Sequence, residues 1–188
     1  MALTDRQKWE ARYGKAPRYP QEHEPNPLLM RWAPPALPGS RALELACGLG
    51  QDALWLGEHG YRVDAFDLSF TALRQARTEM QRRGISGVHF IQADLDDYPL
   101  PCRAYDLVYV YRFLDRRLFP AIRDRVRPGG LVIYETLNVR RRKRHPSASA
   151  AHTLELGELS GHFPGWQVLA ASDDSTTSAL VARKPESG

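Results

Sequence analysis

Polar and apolar positions fall into two regimes along this 188-residue chain. From Arg41 onward, short apolar runs alternate with stretches of helical period. Residues 42–46 predict a first strand, followed by a turn at Gly48 and Gly50. Residues 52–59 predict a helix stopped by Gly60, and residues 61–66 a second strand. Phe70, Leu73, Ala76 and Met80 then recur at helical spacing until Gly84. Residues 88–92 and 106–111 read as strands three and four. A helix near 118–126 leads into Arg127-Pro-Gly-Gly130, and residues 131–136 read as strand five. Such alternation predicts a parallel sheet covered by helices on both faces. The tail differs: residues 166–170 and 178–183 are strand-like, joined by Ser, Thr and Asp with no helix between. That is a hairpin, so at least one strand runs antiparallel.

The first 39 residues follow another pattern and read as an arm packed on a single domain over 40–186. Thr4 with Gln7 can form a capping box, Trp9 and Tyr13 share one helical face, and Gly14 is a stop. Seven prolines follow between residues 17 and 38. They leave room for one short helix from Pro27 to about Trp32, with Asn26 as its cap.

Composition narrows the class. No apolar run approaches the roughly 20 residues of a membrane helix, and the first residues lack an apolar signal core. Two cysteines cannot make a disulfide framework or a four-ligand zinc site. The expectation is a cytoplasmic protein. The formal net charge is +4, with 26 Lys and Arg against 22 Asp and Glu. Arg140, Arg141, Arg142, Lys143 and Arg144 are consecutive, so one loop-sized segment accounts for the basic excess. Three readings stay open for that segment: an electrostatic funnel for an anionic acceptor, a contact with nucleic-acid phosphates, or a solvated loop. The run has no interleaved aromatics and the chain no appended binding domain, which argues against nucleic acid.

The chemistry gathers at the first turn. Glu44-Leu-Ala-Cys-Gly48-Leu-Gly50 lies between a strand and a helix, where glycines allow close backbone approach and helix amides offer donors. Read alone, Gly48-Leu-Gly50-Gln-Asp-Ala53 also matches a dinucleotide fingerprint, which keeps a dinucleotide-dependent oxidoreductase open. Glu44 stands at the end of strand one, Asp67 closes strand two and Asp94 closes strand three. A carboxylate at the end of strand two can accept both hydroxyls of a ribose. Three carboxylates facing one crevice repel unless a ligand's donors or cations offset them.

With these residues in place, the chain resembles the class I S-adenosylmethionine-dependent methyltransferases over about residues 40–184. The resemblance rests on the glycine turn, Asp67-Leu-Ser69, Ala93-Asp94, Arg127-Pro-Gly-Gly130 and the closing hairpin. It implies a Rossmann-like doubly wound sheet of seven strands in the order 3-2-1-4-5-7-6, with strand seven antiparallel. It also implies S-adenosylmethionine as cofactor and S-adenosylhomocysteine as product. The turn from Ala46 through Cys47 and Gly48 to Gly50 would lie against the methionine part, with Glu44 near its amino group. Asp67 would hold the ribose, with Leu68 following it. Asp94 and the backbone of Leu95 would meet the adenine. Ala46 stands where the family usually has glycine. Trp9-Glu-Ala-Arg-Tyr13, Asn26-Pro-Leu-Leu29, Tyr111-Arg-Phe-Leu114, Leu118-Phe-Pro-Ala-Ile122, Tyr134-Glu-Thr136 and Gly157-Glu-Leu159 are similar to the small tellurite-resistance type methyltransferases. That likeness implies a small-molecule acceptor, such as a chalcogen oxyanion or a thiol.

Methyl transfer from a sulfonium needs position and exclusion of water more than a nucleophile or a metal. The candidates for acceptor contact are therefore Tyr111 and Arg112 after strand four, Glu135 in strand five, Tyr13 in the arm, and His145. Arg112 could hold an anion bidentately. An RNA methyltransferase or a nucleic-acid-binding protein using residues 140–144 remains the alternative.

Overall fold

The computed structural model describes residues 3–15, 24–144 and 149–186, with side chains from residue 5 onward. The expected capping box of Thr4 and the candidate His145 lie outside the described residues and side chains. The seven strands have the order β3-β2-β1-β4-β5-β7-β6, as the resemblance implied. The chain forms two compact units, residues 1–101 and 102–188, and each is described by itself.

In the first unit, α1 (Leu3–Gly14) and α2 (Pro27–Trp32) precede β1 (Arg41–Leu45). The Asn26 side chain accepts from the Leu28 amide at 2.7 Å, and Pro27 occupies the first turn of α2. Next come α3 (Gln51–Glu58), β2 (Arg62–Asp67), α4 (Phe70–Arg83) and β3 (Val88–Gln92). β1, β2 and β3 pair in parallel, Leu45 beside Phe66 and Asp67 beside Gln92. Ala42, Leu43, Leu45, Val63, Ala65 and Phe66 are wholly buried, as strands covered on both faces require. α4 starts where the Ser69 hydroxyl accepts from the Ala72 amide and stops at Gly84 in the left-handed conformation.

The second unit contains β4 (Tyr105–Tyr111), α5 (Phe119–Arg125), β5 (Val126–Leu137), α6 (Val139–Arg144), α7 (Glu158–Gly161), β6 (Gln167–Ser172) and β7 (Thr177–Arg183). β4 and β5 are parallel, while β7 runs antiparallel to both β5 and β6. Two expectations change here. Arg127-Pro-Gly-Gly130 does not precede strand five but forms an irregularity inside it: Tyr105 pairs with Val126, and Leu107 with Leu131. The segment is held from the far side, because Gly129 donates to the Lys184 carbonyl and Lys184 donates back to Gly130. A methyl group on Gly130 would come within 3.0 Å of the Asp106 and Arg127 carbonyls, so this crossing admits only glycine.

The second change concerns the basic run, which is not a loop. Residues 140–144 lie in α6, whose start is set by Asn138, fully buried. The Asn138 side chain accepts from the Arg140 amide at 3.0 Å and donates to the Thr177 carbonyl at 2.7 Å. Arg140 donates to the Asp173 carbonyl, Arg144 to the Ser175 hydroxyl, and Arg142 to Glu155 at 3.2 Å. Three of the five cations are thus occupied within the unit. A bidentate pair, Arg116 with Glu158 at 2.6 and 2.9 Å, fastens α7 to the segment after β4. Those hydrogen bonds outweigh partial burial and hold the Glu158 carboxyl at about 2.

Candidate active site

The site of the first unit is built on the step from β1 into α3. β1 delivers Glu44 and Leu45 wholly inside, and the chain then reverses through Ala46, Cys47, Gly48 and Leu49 to Gly50, the N-cap of α3. Ala46, Gly48 and Gly50 have φ of +56°, +54° and +69°. Ala46 is a non-glycine residue in the left-handed region, a strained choice where glycine would be at ease. Cys47 donates its amide to the Phe66 carbonyl at 2.9 Å and accepts from the Gly50 amide at 2.8 Å, which closes the turn. Its thiol is buried and pushed well up, by desolvation first and then by Glu44 and Asp67. Cys47 is therefore a packing residue of the turn.

Asp67 ends β2 beside this turn. One carboxylate oxygen accepts from the Gly48 amide at 2.7 Å and the other from the Ser69 amide at 2.8 Å. Burial raises its pKa, and these amide bonds act against that rise. Each oxygen retains a lone pair for a further donor. Glu44 is more extreme. It is buried, burial and then the charges of Asp52 and Asp67 lift its pKa well above the usual carboxylate range, and the Ala53 amide opposes that rise. Its Oε2 has no hydrogen-bond partner among the described residues. A buried acceptor left empty costs about 1–3 kcal/mol, so this oxygen marks a place for a donor.

The acids buried around this turn are Glu44, Asp52 and Asp67, while Asp94, the third strand-end acid of the sequence reading, is half-buried. Asp52 was missed, although an acid in the first helical turn after the glycines was visible. Its Oδ1 accepts from the Asn26 amide at 2.7 Å, tying α2 to α3. Asp94 lies two residues beyond β3. Its side chain accepts from the Asp96 amide and its carbonyl from Asp97 and Tyr98, so it serves as a turn residue. It also lines a cleft of about 330 Å³ with Arg6, Gln92, Ala93, Asp97 and Tyr98. Leu68 and Leu95 are both buried.

Tyr13 joins this half. A methyl group on Gly48 would fall 2.6 Å from the Tyr13 hydroxyl, and burial followed by the Asp67 charge pushes the phenol up. Tyr13 therefore stands over the glycine turn. In the second unit, Tyr111 ends β4 half-buried, and Arg112 follows it exposed. Arg112 has φ +54°, donates its amide to the Glu135 carbonyl at 2.8 Å, and lays its guanidinium 5.1 Å from the Tyr111 ring centre. Tyr111, Arg112 and Glu135 are thus neighbours at the carboxyl ends of β4 and β5. Tyr134, beside Glu135, donates to the Phe113 carbonyl at 3.0 Å and is buried, which makes it structural.

A doubly wound sheet with a glycine turn and an acid after β2 defines a protein that binds a nucleoside-type ligand at the carboxyl ends of its strands. Comparison with known proteins narrows the class. Residues 42–130 match a methyltransferase domain. Malonyl-[acyl-carrier protein] O-methyltransferase of Enterobacter lignolyticus is 31% identical over 149 residues, which take in 73% of this chain and 56% of that one. A structure solved in work on the conversion of a disulfide bond into a thioacetal group during echinomycin biosynthesis superposes with TM-score 0.72 and 21% identity. It covers 97% of this chain and 92% of its own. TehB from Haemophilus influenzae gives TM-score 0.68 at 14% identity, over 83% of this chain and 59% of that one. The structural likenesses are likenesses of fold. The domain match over residues 42–130, the O-methyltransferase relative and the strand order support a class I S-adenosylmethionine-dependent methyltransferase, and the chain spans about half the length of the curated relatives it matches. The dinucleotide reading of the glycine turn falls with that assignment. No helix among the described residues is long and apolar enough to cross a membrane.

Proposed function

We propose that this chain binds S-adenosylmethionine in its first unit and methylates an oxygen of a small, anionic molecule. The observation that carries the cofactor reading is the unpartnered Oε2 of buried Glu44. An ammonium group satisfies that oxygen and offsets the charges of Glu44, Asp52 and Asp67 together. The turn of Ala46, Cys47, Gly48 and Gly50 would hold the methionine part. Asp67 would accept from the ribose hydroxyls, Leu68 would pack beside the base, and Asp94 with the backbone of Leu95 would meet the adenine. The cofactor, when bound, supplies a methyl group already activated on a sulfonium. The chain's residues orient the partners and exclude water.

The oxygen acceptor follows the O-methyltransferase relative named above. Its anionic character rests on Arg112, an exposed guanidinium at the carboxyl end of β4 on a strained backbone. Such strain persists where the surroundings or the function require the residue. A chalcogen oxyanion belongs to the same acceptor class, with support from the fold likeness to TehB. RNA is disfavoured by the internal engagement of Arg140, Arg142 and Arg144. Release of S-adenosylhomocysteine is to be assayed against a panel of carboxylates, phenols, thiols and tellurite. Turnover on an anionic acceptor is expected, with Arg112→Ala raising its KM about tenfold through the lost charge-assisted bonds and leaving cofactor affinity unchanged. Turnover confined to uncharged acceptors or RNA would overturn the acceptor reading.

A further inference from the structure

Glu10 does something that the cofactor turn does not need. It lies on α1, yet its carboxylate accepts from the Phe70 amide at 2.6 Å and the Thr71 amide at 3.3 Å, sixty residues away on α4. It is thus a cap donated to α4 from another helix, beside the N-cap Ser69, whose hydroxyl already accepts from the Ala72 amide. One turn further along α1, the Tyr13 carbonyl accepts from the Gln75 side chain at 3.1 Å. One turn before Glu10, Arg6 lines the cleft shared with Asp94 and Tyr98. Arg6 and Tyr13 are seven residues apart, about two turns or 10 Å of helix. α1 therefore reaches from the adenine-side cleft to the glycine turn under the Tyr13 hydroxyl.

The docking of this helix is thin. Of its side chains from Asp5 onward none is fully buried, and Trp9, Glu10 and Tyr13 are only half-buried. Trp9 stacks on Tyr13 at 5.9 Å, with Lys8 and Arg12 over its ring, so the aromatic pair is held on its own helix. An isolated helix of twelve residues is marginal in water, so α1 undocked is α1 unfolded. Elements fastened by few apolar contacts open first.

We propose that α1 is a strap over the cofactor site and that Glu10 is the positioning residue that latches it. The idea rests on the cofactor reading given above. The Glu10 carboxylate holds α1 on the N-terminus of α4, which puts Tyr13 over the methionine end and Arg6 beside the adenine end. Cofactor and product pass when the latch opens. Burial raises the Glu10 pKa, but the bonds from Thr71, Phe70 and Ser69 outweigh it and hold the group below its ordinary value. The latch is therefore intact at neutral pH, and protonation releases it only in acid.

The test uses the whole chain and two readouts. Amide exchange at Phe70 and Thr71, measured without ligand, reports the latch directly. Glu10→Ala is expected to speed both about tenfold, and Glu10→Gln, which keeps one acceptor oxygen, by less. Stopped-flow binding of S-adenosylhomocysteine reports the strap. Glu10→Ala is expected to dissociate about tenfold faster, while Tyr13→Phe keeps wild-type exchange at Phe70 and Thr71. Unchanged exchange in Glu10→Ala would overturn the latch, and unchanged dissociation would overturn the strap. A wild type that binds no S-adenosylhomocysteine breaks the cofactor reading and the strap over it together. That result is distinct from a wild type and Glu10→Ala that bind with identical kinetics.

Discussion

The two halves of the chain have opposite electrostatic designs. Residues 1–101 hold twelve Lys and Arg against thirteen Asp and Glu, whereas residues 102–188 hold fourteen against nine. In the first half the telling charges are inside: Glu44, Asp52 and Asp67 are all buried. In the second they are outside, on α6, and partly spent on the hairpin of β6 and β7. A buried acid costs free energy that a ligand must offset, while a surface cation costs almost nothing and therefore identifies little. The net charge of the chain is set by the less informative half. Both halves also place a left-handed, non-glycine residue just past a strand's carboxyl end, Ala46 after β1 and Arg112 after β4. Ala46 has a backbone reason to be glycine instead, and Arg112 has a side chain to present.

The largest expected effect tests the first half. Asp67→Ala should weaken S-adenosylhomocysteine binding about 100-fold by calorimetry, since hydrogen bonds to a charged group are worth roughly 1.5–3 kcal/mol each. An affinity within threefold of wild type would take the ribose role from Asp67. Next is Glu44→Gln, expected to lose about tenfold in affinity while making the empty protein more stable. The sign follows from the raised pKa of Glu44. The folded state holds the proton more tightly than the unfolded chain. Wild-type stability therefore falls as pH rises from the ordinary glutamate range through the raised value. The variant lacks that slope. At neutral pH it should melt higher by roughly 2–4 °C for each ~1 kcal/mol recovered, and the gap should close in acid. A variant that melts lower at neutral pH would show that Glu44 is already compensated inside the protein.

Two smaller effects sharpen the contrast. Ala46→Gly should stabilise the protein by about 1 kcal/mol, because the left-handed backbone costs alanine roughly that much. A loss of stability in thermal melts would mean that the alanine methyl packs productively. Arg141→Gln with Lys143→Gln should change stability by less than about 0.5 kcal/mol and leave cofactor affinity as it was. These are the two cations of the run whose side chains make no hydrogen bond or ion pair among the described residues. A steep salt dependence of RNA binding that these changes abolish would restore the nucleic-acid reading.

Periodicity made much of the fold legible. β3 was bounded at Val88 and Gln92 as found, α4 stopped at Gly84, and the tail was a hairpin. Those elements are written locally, in apolar spacing and in caps. α6 was not legible, because five cations in a row have no apolar period. That helix exists through Asn138 and through bonds to residues 173–177. The bulge in β5 was hidden for a related reason, since Arg127-Pro-Gly-Gly130 has turn chemistry and is held extended by bonds to Lys184, just past β7, and by Arg127 on Asp106.

The candidate site divides in the same way. The glycine turn, Glu44 and Asp67 could be picked out because each sits at a strand end within its own segment. The burial of Asp52 with them, the unpartnered oxygen of Glu44, and the meeting of Glu10 with Phe70 could not. They depend on groups 26 or 60 residues apart coming into contact. The amino-acid sequence by itself determined the alternation of elements, the nucleoside-type turn and the acids beside it, because short-range patterning and backbone conformation specify these. Tertiary structure decided which acids are buried together, that the basic run is a helix, and that α1 lies along the site. Burial and hydrogen-bond pairing between distant segments are properties of the packed chain, not of any segment alone.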